Sequence, residues 1–276
     1  MDNLEPSSSA SAATTLTGVL LRALPYREAD LVLHLFSSER GRVGLLARGA
    51  RRSKRRFIGA TSGFVLARFT VAPGKSQDLW VAQSAEVLQQ WDVLASDVGA
   101  FAHAHYVLEL VHELLPEGQP EPALLDLLVD YFDELATRGA SSSVLRYVEH
   151  QVLDIAGTPP QLEQCVRCGG ELDRKAGFLA SHGGALCAVC IDGEGPRPGL
   201  RPYPMAVRSY LLAIRACSEV SAARELDAAP TDVRLAARDM LVGMITHLAP
   251  RPLRTLEFIS KMSSALRRNP VSKPKP

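Results

Sequence analysis

Cys165, Cys168, Cys187 and Cys190 form two Cys-x-x-Cys pairs with eighteen residues between the inner members. No other feature limits the fold of this chain so narrowly. Two thiolates spaced by two residues can hold one metal ion from a single tight turn. A second such pair completes a tetrahedral all-sulfur shell, the arrangement zinc favours. Gly169 and Gly170 follow the first pair, and glycine lets the backbone fold back so that its amides approach the sulfurs. Gly183 and Gly184 precede the second pair.

The same cysteines could form two disulfides in an oxidising compartment. The opening MDNLEPSSSASAATT has two acids and no apolar stretch, so it does not read as a signal peptide. No run of about eighteen apolar residues is present, so no membrane span is expected. A reduced, cytoplasmic setting follows, where paired cysteines hold metal more often than each other. A redox role would need one pair at a strand–helix turn, not two matched pairs. Four thiolates leave no open coordination position, so the expected Zn2+ is structural. A zinc deaminase would need His-x-Glu ahead of Pro-Cys-x-x-Cys. None of the seven histidines has a glutamate two residues on, and neither pair follows a proline. His112-Glu113 continues as Leu-Leu-Pro, so His-Glu-x-x-His is absent as well. The fifth cysteine, Cys217, sits in SYLLAIRACSEV and is expected to be a small buried hydrophobe.

A net charge of +1 hides a strong segregation. Arg40 to Gln77 holds ten Lys or Arg and no acid. Asp92 to Glu134 holds ten acids and no Lys or Arg. After Pro250 there are seven Lys or Arg against Glu257 alone. Such blocks make separate positive and negative surfaces on a nearly neutral molecule.

The pattern of apolar residues divides the 276-residue chain. Residues 1–15 are polar, rich in Ser and Ala, and expected to be disordered. Five short strands are expected over Thr17–Leu24, Asp30–Phe36, Arg42–Ala47, Gly63–Val71 and Leu79–Val87, with turn signals between them. Five strands with a longer break after the third suggest an OB-type Greek-key barrel, with an SH3-like barrel as the alternative. From Asp92 the period becomes helical. Phe101, Ala104, Leu108, Val111 and Leu115 make one stripe, and Leu124, Leu128, Tyr131 and Leu135 another. Further helices are expected over Ser142–Ala156, Met205–Cys217, Thr231–Leu248 (with Thr231 as N-cap) and Arg254–Arg267. The fold class is therefore α+β: an N-terminal five-stranded OB-type barrel over residues 16–90, then a helical domain over 91–268. A four-cysteine zinc-finger insert occupies about 158–199, and 269–276 form a disordered tail.

The densest basic cluster falls in the break between the third and fourth strands. Arg40, Arg42, Arg48, Arg51, Arg52, Lys54, Arg55 and Arg56 are the candidate DNA-binding residues. Cations meeting phosphates release counterions, which gives salt-sensitive, sequence-tolerant binding. The plain alternative is a solvated loop or a contact with an acidic protein. Phe57, Phe64 and Phe69 lie nearby and could stack on bases, although strand phenylalanines more often fill cores. Gly74-Lys75-Ser76 resembles the end of a phosphate-binding P-loop. Phe69 stands where that motif needs glycine, and the triplet joins two strands instead of opening a helix. No catalytic set stands out, and the acids of Asp92–Glu134 are expected on solvated helix faces.

These residues resemble a known family, the DNA repair protein RecO family. The resemblance lies in GVLLRALPYREADLVLHLFSSERGRVGLLARGARRSKRRF, above all Tyr26-Arg27-Glu28, Glu39-Arg40-Gly41-Arg42 and Gly49-Ala50-Arg51-Arg52. It continues in LDIAGTPPQLEQCVRCGG, covering about Leu16 to Leu200 and more loosely the C-terminal helices. The family often has Gly-Tyr where this chain has Gly157-Thr158, and some members lack the cysteines. The resemblance implies a non-enzymatic recombination mediator. Such a protein binds single- and double-stranded DNA, anneals strands, and works with RecR to load RecA onto strands coated by single-strand-binding protein (SSB). It also implies binding of the acidic, hydrophobic C-terminal tail of SSB, for which Arg251, Arg254 and Lys261 near Leu256, Phe258 and Ile259 are candidates. An RNA-binding translation or transcription factor with a barrel and a zinc ribbon is the rival function.

Overall fold

The computed structural model describes residues 13–74, 79–193 and 198–259. The chain folds as two compact units: the part up to Asp92 with Pro116–Leu125, and Val93–Leu115 with the part from Asp126 onward.

The first unit is a closed five-stranded barrel. Its strands are β1 (Thr14–Tyr26), β2 (Asp30–Ser37), β3 (Gly41–Ala47), β4 (Val65–Ala72) and β5 (Leu79–Gln90). β3, and β2 up to Leu35, alternate buried and half-buried residues, as strands with one face to a core must. Leu31, Leu33 and Leu35 and then Val43, Leu45 and Ala47 point inward and meet Phe69 and Val71 of β4. The order around the ring is β1-β2-β3-β5-β4, and β4 pairs back onto β1. β3 and β5 run parallel, while the other pairs are antiparallel. A parallel closure requires the chain to cross over from β3 before β5 joins it, which is the expected OB-type Greek key and sets aside the SH3-like alternative. β1 and β5 outrun the apolar runs that mark them, and each carries register shifts that bend it around the barrel.

The second unit is helical. α1 (Val98–Leu114) starts at Asp97, whose carboxylate accepts from the Ala100 amide at 2.6 Å. α2 (Pro122–Arg138) follows, and α3 (Ser142–Ile155) starts at Ser141, whose hydroxyl accepts from Val144 N at 3.2 Å. A small sheet follows, ordered β7-β6-β8, from β6 (Gly177–Leu179), β7 (Gly184–Leu186) and β8 (Leu200–Pro202), with α4 (Ala188–Asp192) between the last two. α5 (Met205–Ala216) and α6 (Thr231–Leu248) complete the described unit, and residues 254–259 begin one more helical stretch. α3 packs against α1, α5 and α6. It is buried around nearly its whole circumference, including Arg146, Glu149 and His150. No helix among the described residues is long and apolar enough to cross a membrane.

Four expectations are corrected. Thr231 is the first helical residue of α6. Pro230 occupies the cap position, where its carbonyl receives the Arg234 amide and no side chain caps the end. Phe101, in the first turn of α1, is 37% exposed and does not join the buried stripe. Cys217 is half-buried at the end of α5, with its thiol donating to Ala213 O at 3.3 Å. Glu134 is not on a solvated face. It is 8% exposed and paired with Arg224 and Arg138. Residues 1–12, Lys75, Ser76, Lys261 and the tail lie outside the described residues.

Candidate metal centre and nucleic-acid interface

The four cysteine sulfurs converge. All lie within 4.8 Å of one another, and Cys168 Sγ and Cys187 Sγ are 3.8 Å apart. Four sulfurs placed about 2.3 Å from one ion sit roughly 3.8 Å apart in a tetrahedron, so the cluster has the size of a metal shell. No disulfide joins them. The first pair sits on a tight turn in which Gly169 N donates to Cys165 O at 2.9 Å and Cys165 N to Gly170 O at 2.9 Å. Gly169 has φ +69°, which a side chain would resist. The second pair begins at the N-terminal end of α4, whose cap position is Cys187. Gly184 of β7 lets the two halves approach, since a Cβ there would stand 2.5 Å from Gln161 O. Leu179, Leu186 and Leu200 pack around the sulfurs.

The protonation pattern suits a cation. Burial pushes the Cys165 thiol up, but the backbone amides of Cys187, Cys168 and Arg167 outweigh it and hold it down at about 6. Desolvation, then the neighbouring sulfurs, push Cys190 up to about 12. Each added thiolate raises the cost of the next, and a bound cation would offset that repulsion.

The basic turn is built differently. After β3 the chain makes a 3-10 turn over Ala50–Arg52. Ala50, Phe57 and Ala60 are buried in the barrel core and anchor the segment. Ser53 Oγ receives the Arg56 amide at 3.0 Å. Arg56 binds Arg48 O at 2.8 Å and Gln83 O at 3.4 Å, so its guanidinium braces the turn. Arg48, Arg51, Arg52, Lys54 and Arg55 are exposed around that brace. Arg52 pairs with Glu28 at 2.7 Å, both side chains being largely solvated. Among the described residues, the side chains of Arg48, Lys54 and Arg55 have no ion-pair partner.

Arg40 and Arg42 are not part of this cluster. They sit where β3 begins and the turn sits where it ends, about 20 Å apart at the rise of a strand. The Arg40 guanidinium carbon lies 4.3 Å from the Trp80 ring centroid, and Arg42 pairs with Glu117 at 3.5 Å. Phe57, Phe64 and Phe69 are 2%, 4% and 0% exposed and are core residues, so they offer no face to a base.

Family models match both units: Recombination protein O N terminal over residues 12–91, and Recombination protein O C terminal over residues 95–257. This chain belongs to the RecO family. It is similar to the DNA repair protein RecO of Anaeromyxobacter sp. (strain K), 36% identical over 252 residues that cover 91% of this chain and 97% of that protein. It is likewise similar to the DNA repair protein RecO of Desulforudis audaxviator, 34% identical over 88% of this chain and 95% of that protein. The Geobacter sulfurreducens relative is 34% identical over 89% and 96%. RecO membership assigns the chain to DNA repair and recombination.

The helical unit of this RecO-family chain also holds a cavity of about 670 Å³. Leu145, Leu235, Val242, Leu256 and Ile259 supply apolar wall, and Arg146, Arg234 and Arg238 supply charge. Arg146 is 4% exposed. One of its nitrogens binds Glu149 at 2.7 Å, while Nε and Nη1 have no hydrogen-bond partner among the described residues. Glu149 also receives the Tyr106 hydroxyl at 2.7 Å. Burial pushes its carboxyl up, and Arg146 and Tyr106 oppose that rise. Of the candidate tail-binding residues, Leu256 and Ile259 line this cavity. Arg251 and Arg254 are exposed, and the amides of Arg254 and Thr255 are held by Glu109 at 2.9 Å each. Sequence reasoning missed Arg146 because its stripe of Leu145, Val148 and Val152 assigned it to the solvent side.

Proposed function

We propose that this chain is a non-enzymatic recombination mediator that binds and anneals DNA, and with RecR helps load RecA onto SSB-coated single strands. The observation that carries DNA binding is the braced turn, where Arg48, Lys54 and Arg55 stand exposed with no ion-pair partner among the described residues. Annealing needs no covalent step. A positive surface that screens two polyanions lowers the repulsion between them and shortens their search. Arg40 and Arg42 belong to the far end of β3, so they would meet DNA only as a second contact along its path.

The cysteine quartet would hold one structural Zn2+, which supplies a charge that gathers four thiolates and leaves no position for substrate. The SSB tail would use the helical cavity. An acidic, aromatic-ended peptide suits apolar walls beside buried arginine donors. The domain limits implied are a DNA-binding barrel over 16–90 and a helical domain over 91–268, in a cytoplasmic protein.

The deciding experiment is a salt titration of DNA binding and strand annealing, with and without SSB. Arg51, Arg52 and Arg55 changed together to glutamate should weaken binding by orders of magnitude and flatten its salt dependence. DNA affinity that survives this at low salt would overturn the assignment. A preference for structured RNA over single-stranded DNA would favour the RNA-binding alternative.

A further inference from the structure

β1 ends at Tyr26, which is 43% exposed, the most exposed aromatic of the barrel among the described residues. Arg27 follows with φ +53°, the one described non-glycine residue at positive φ. Side chains disfavour that region, and a glycine there would relieve it. The arginine instead places its guanidinium carbon 5.3 Å from the Tyr26 ring centroid. A cation over a ring at this distance steadies it.

The tip that carries this pair is tied to the basic turn. Arg51 N donates to Ala29 O at 3.0 Å, and the Arg51 guanidinium to Glu28 O at 3.2 Å. The Arg52 guanidinium reaches the Glu28 carboxylate at 2.7 Å, and Gly49 N reaches the Asp30 carboxylate at 2.7 Å. Four bonds from Gly49–Arg52 thus fix residues 28–30, immediately after the stacked pair. An exposed ring held in place beside a row of cations has the two parts of a single-strand site, a stacking face and a phosphate-binding edge.

We propose that Tyr26, steadied by Arg27, is a base-stacking platform for single-stranded DNA. The proposal rests on the reading that the basic turn meets phosphates and adds what that turn cannot supply. Cations bind duplex and single strand alike. A ring can stack only on a base whose face is open, so Tyr26 gives preference for unpaired DNA and a part of the affinity that salt does not screen.

The test compares Tyr26→Leu, Tyr26→Phe and the unaltered chain by fluorescence anisotropy, with oligo(dT) and a duplex of equal length. Tyr26→Leu should weaken oligo(dT) binding roughly 5- to 150-fold. It should leave duplex binding and the salt slope unchanged, while Tyr26→Phe keeps the single-strand affinity. Light-induced crosslinking to an oligonucleotide carrying 5-iododeoxyuridine should mark Tyr26. Unchanged oligo(dT) affinity in Tyr26→Leu, an equal loss on both DNA forms, or adducts only at other residues would each overturn it. If the triple arginine reversal leaves DNA binding intact, the underlying reading falls. If only Tyr26→Leu is silent, the platform alone falls.

Discussion

The helical unit supplies partners for its charged and metal-ligating groups from within the chain, and the barrel turn leaves its cations exposed. Arg146 is buried on Glu149, Arg224 is half-buried on the buried Glu134, and four cysteines face one another. Arg48, Lys54 and Arg55 are exposed, without an ion-pair partner among the described residues, on a turn pinned by Phe57 and Arg56. The residue types overlap, so composition does not separate the two regions. What differs is whether a partner is supplied from within the chain. An arginine already matched to a carboxylate inside contributes to one fold, whereas an unmatched one on a rigid support remains available for a polyanion.

Removing the enclosed partners should hurt folding most. Structural zinc contributes on the order of 10 kcal/mol to small sites, so Cys165→Ser should abolish metal content and expose the amides around 158–199 to hydrogen exchange. DNA affinity per folded molecule should fall far less. Full zinc stoichiometry in the variant, by metal analysis, would refute the four-sulfur site. Arg146→Met comes next. It leaves Glu149 buried beside Tyr106 without its cation, which costs about 3–5 kcal/mol in urea unfolding. Adding Glu149→Leu should restore much of that loss, and failure to do so would mean that the arginine acts through packing.

Acid should press on the same interior. Burial first, then the Arg146 charge, lower the His103 pKa from 6.5 to about 4. The folded form binds fewer protons than the unfolded one across that window. The contribution of His103 to stability is therefore full above about pH 6.5 and falls by about 3 kcal/mol as pH drops towards 4. His103→Gln should flatten this slope, and an unaltered slope would assign it to other groups. The smallest effect on folding belongs to the exposed side. Arg55→Ala should change stability by less than about 0.5 kcal/mol while weakening DNA binding and reducing its salt slope by about one. A large loss of stability there would erase the distinction between the regions.

Much of this was legible in the sequence. Each strand of the barrel was found, because turn signals and a period of two agree wherever one face is buried. The cysteine cluster was legible because ligand spacing is a local property. The grouping of the arginines was not. Arg40 through Arg56 are neighbours in sequence, but β3 carries Arg42 to one end of the barrel and Arg51 to the other. The interior of α3 escaped for a related reason. A single apolar stripe implies one buried face, yet helices on several sides also bury Arg146, Glu149 and His150. Tyr26 was visible as a motif residue, but its stacking partner and its tether to Arg51 and Arg52 arise only when β1 and β2 pair.

The parallel pairing of β3 with β5 has one further consequence. Over Gly44–Ala47, β3 has β2 on one side and β5 on the other, so that stretch cannot accept an extended peptide as an extra strand. A partner that meets that stretch must grip outward side chains, and its recognition is read there in surface chemistry, not in backbone hydrogen bonds.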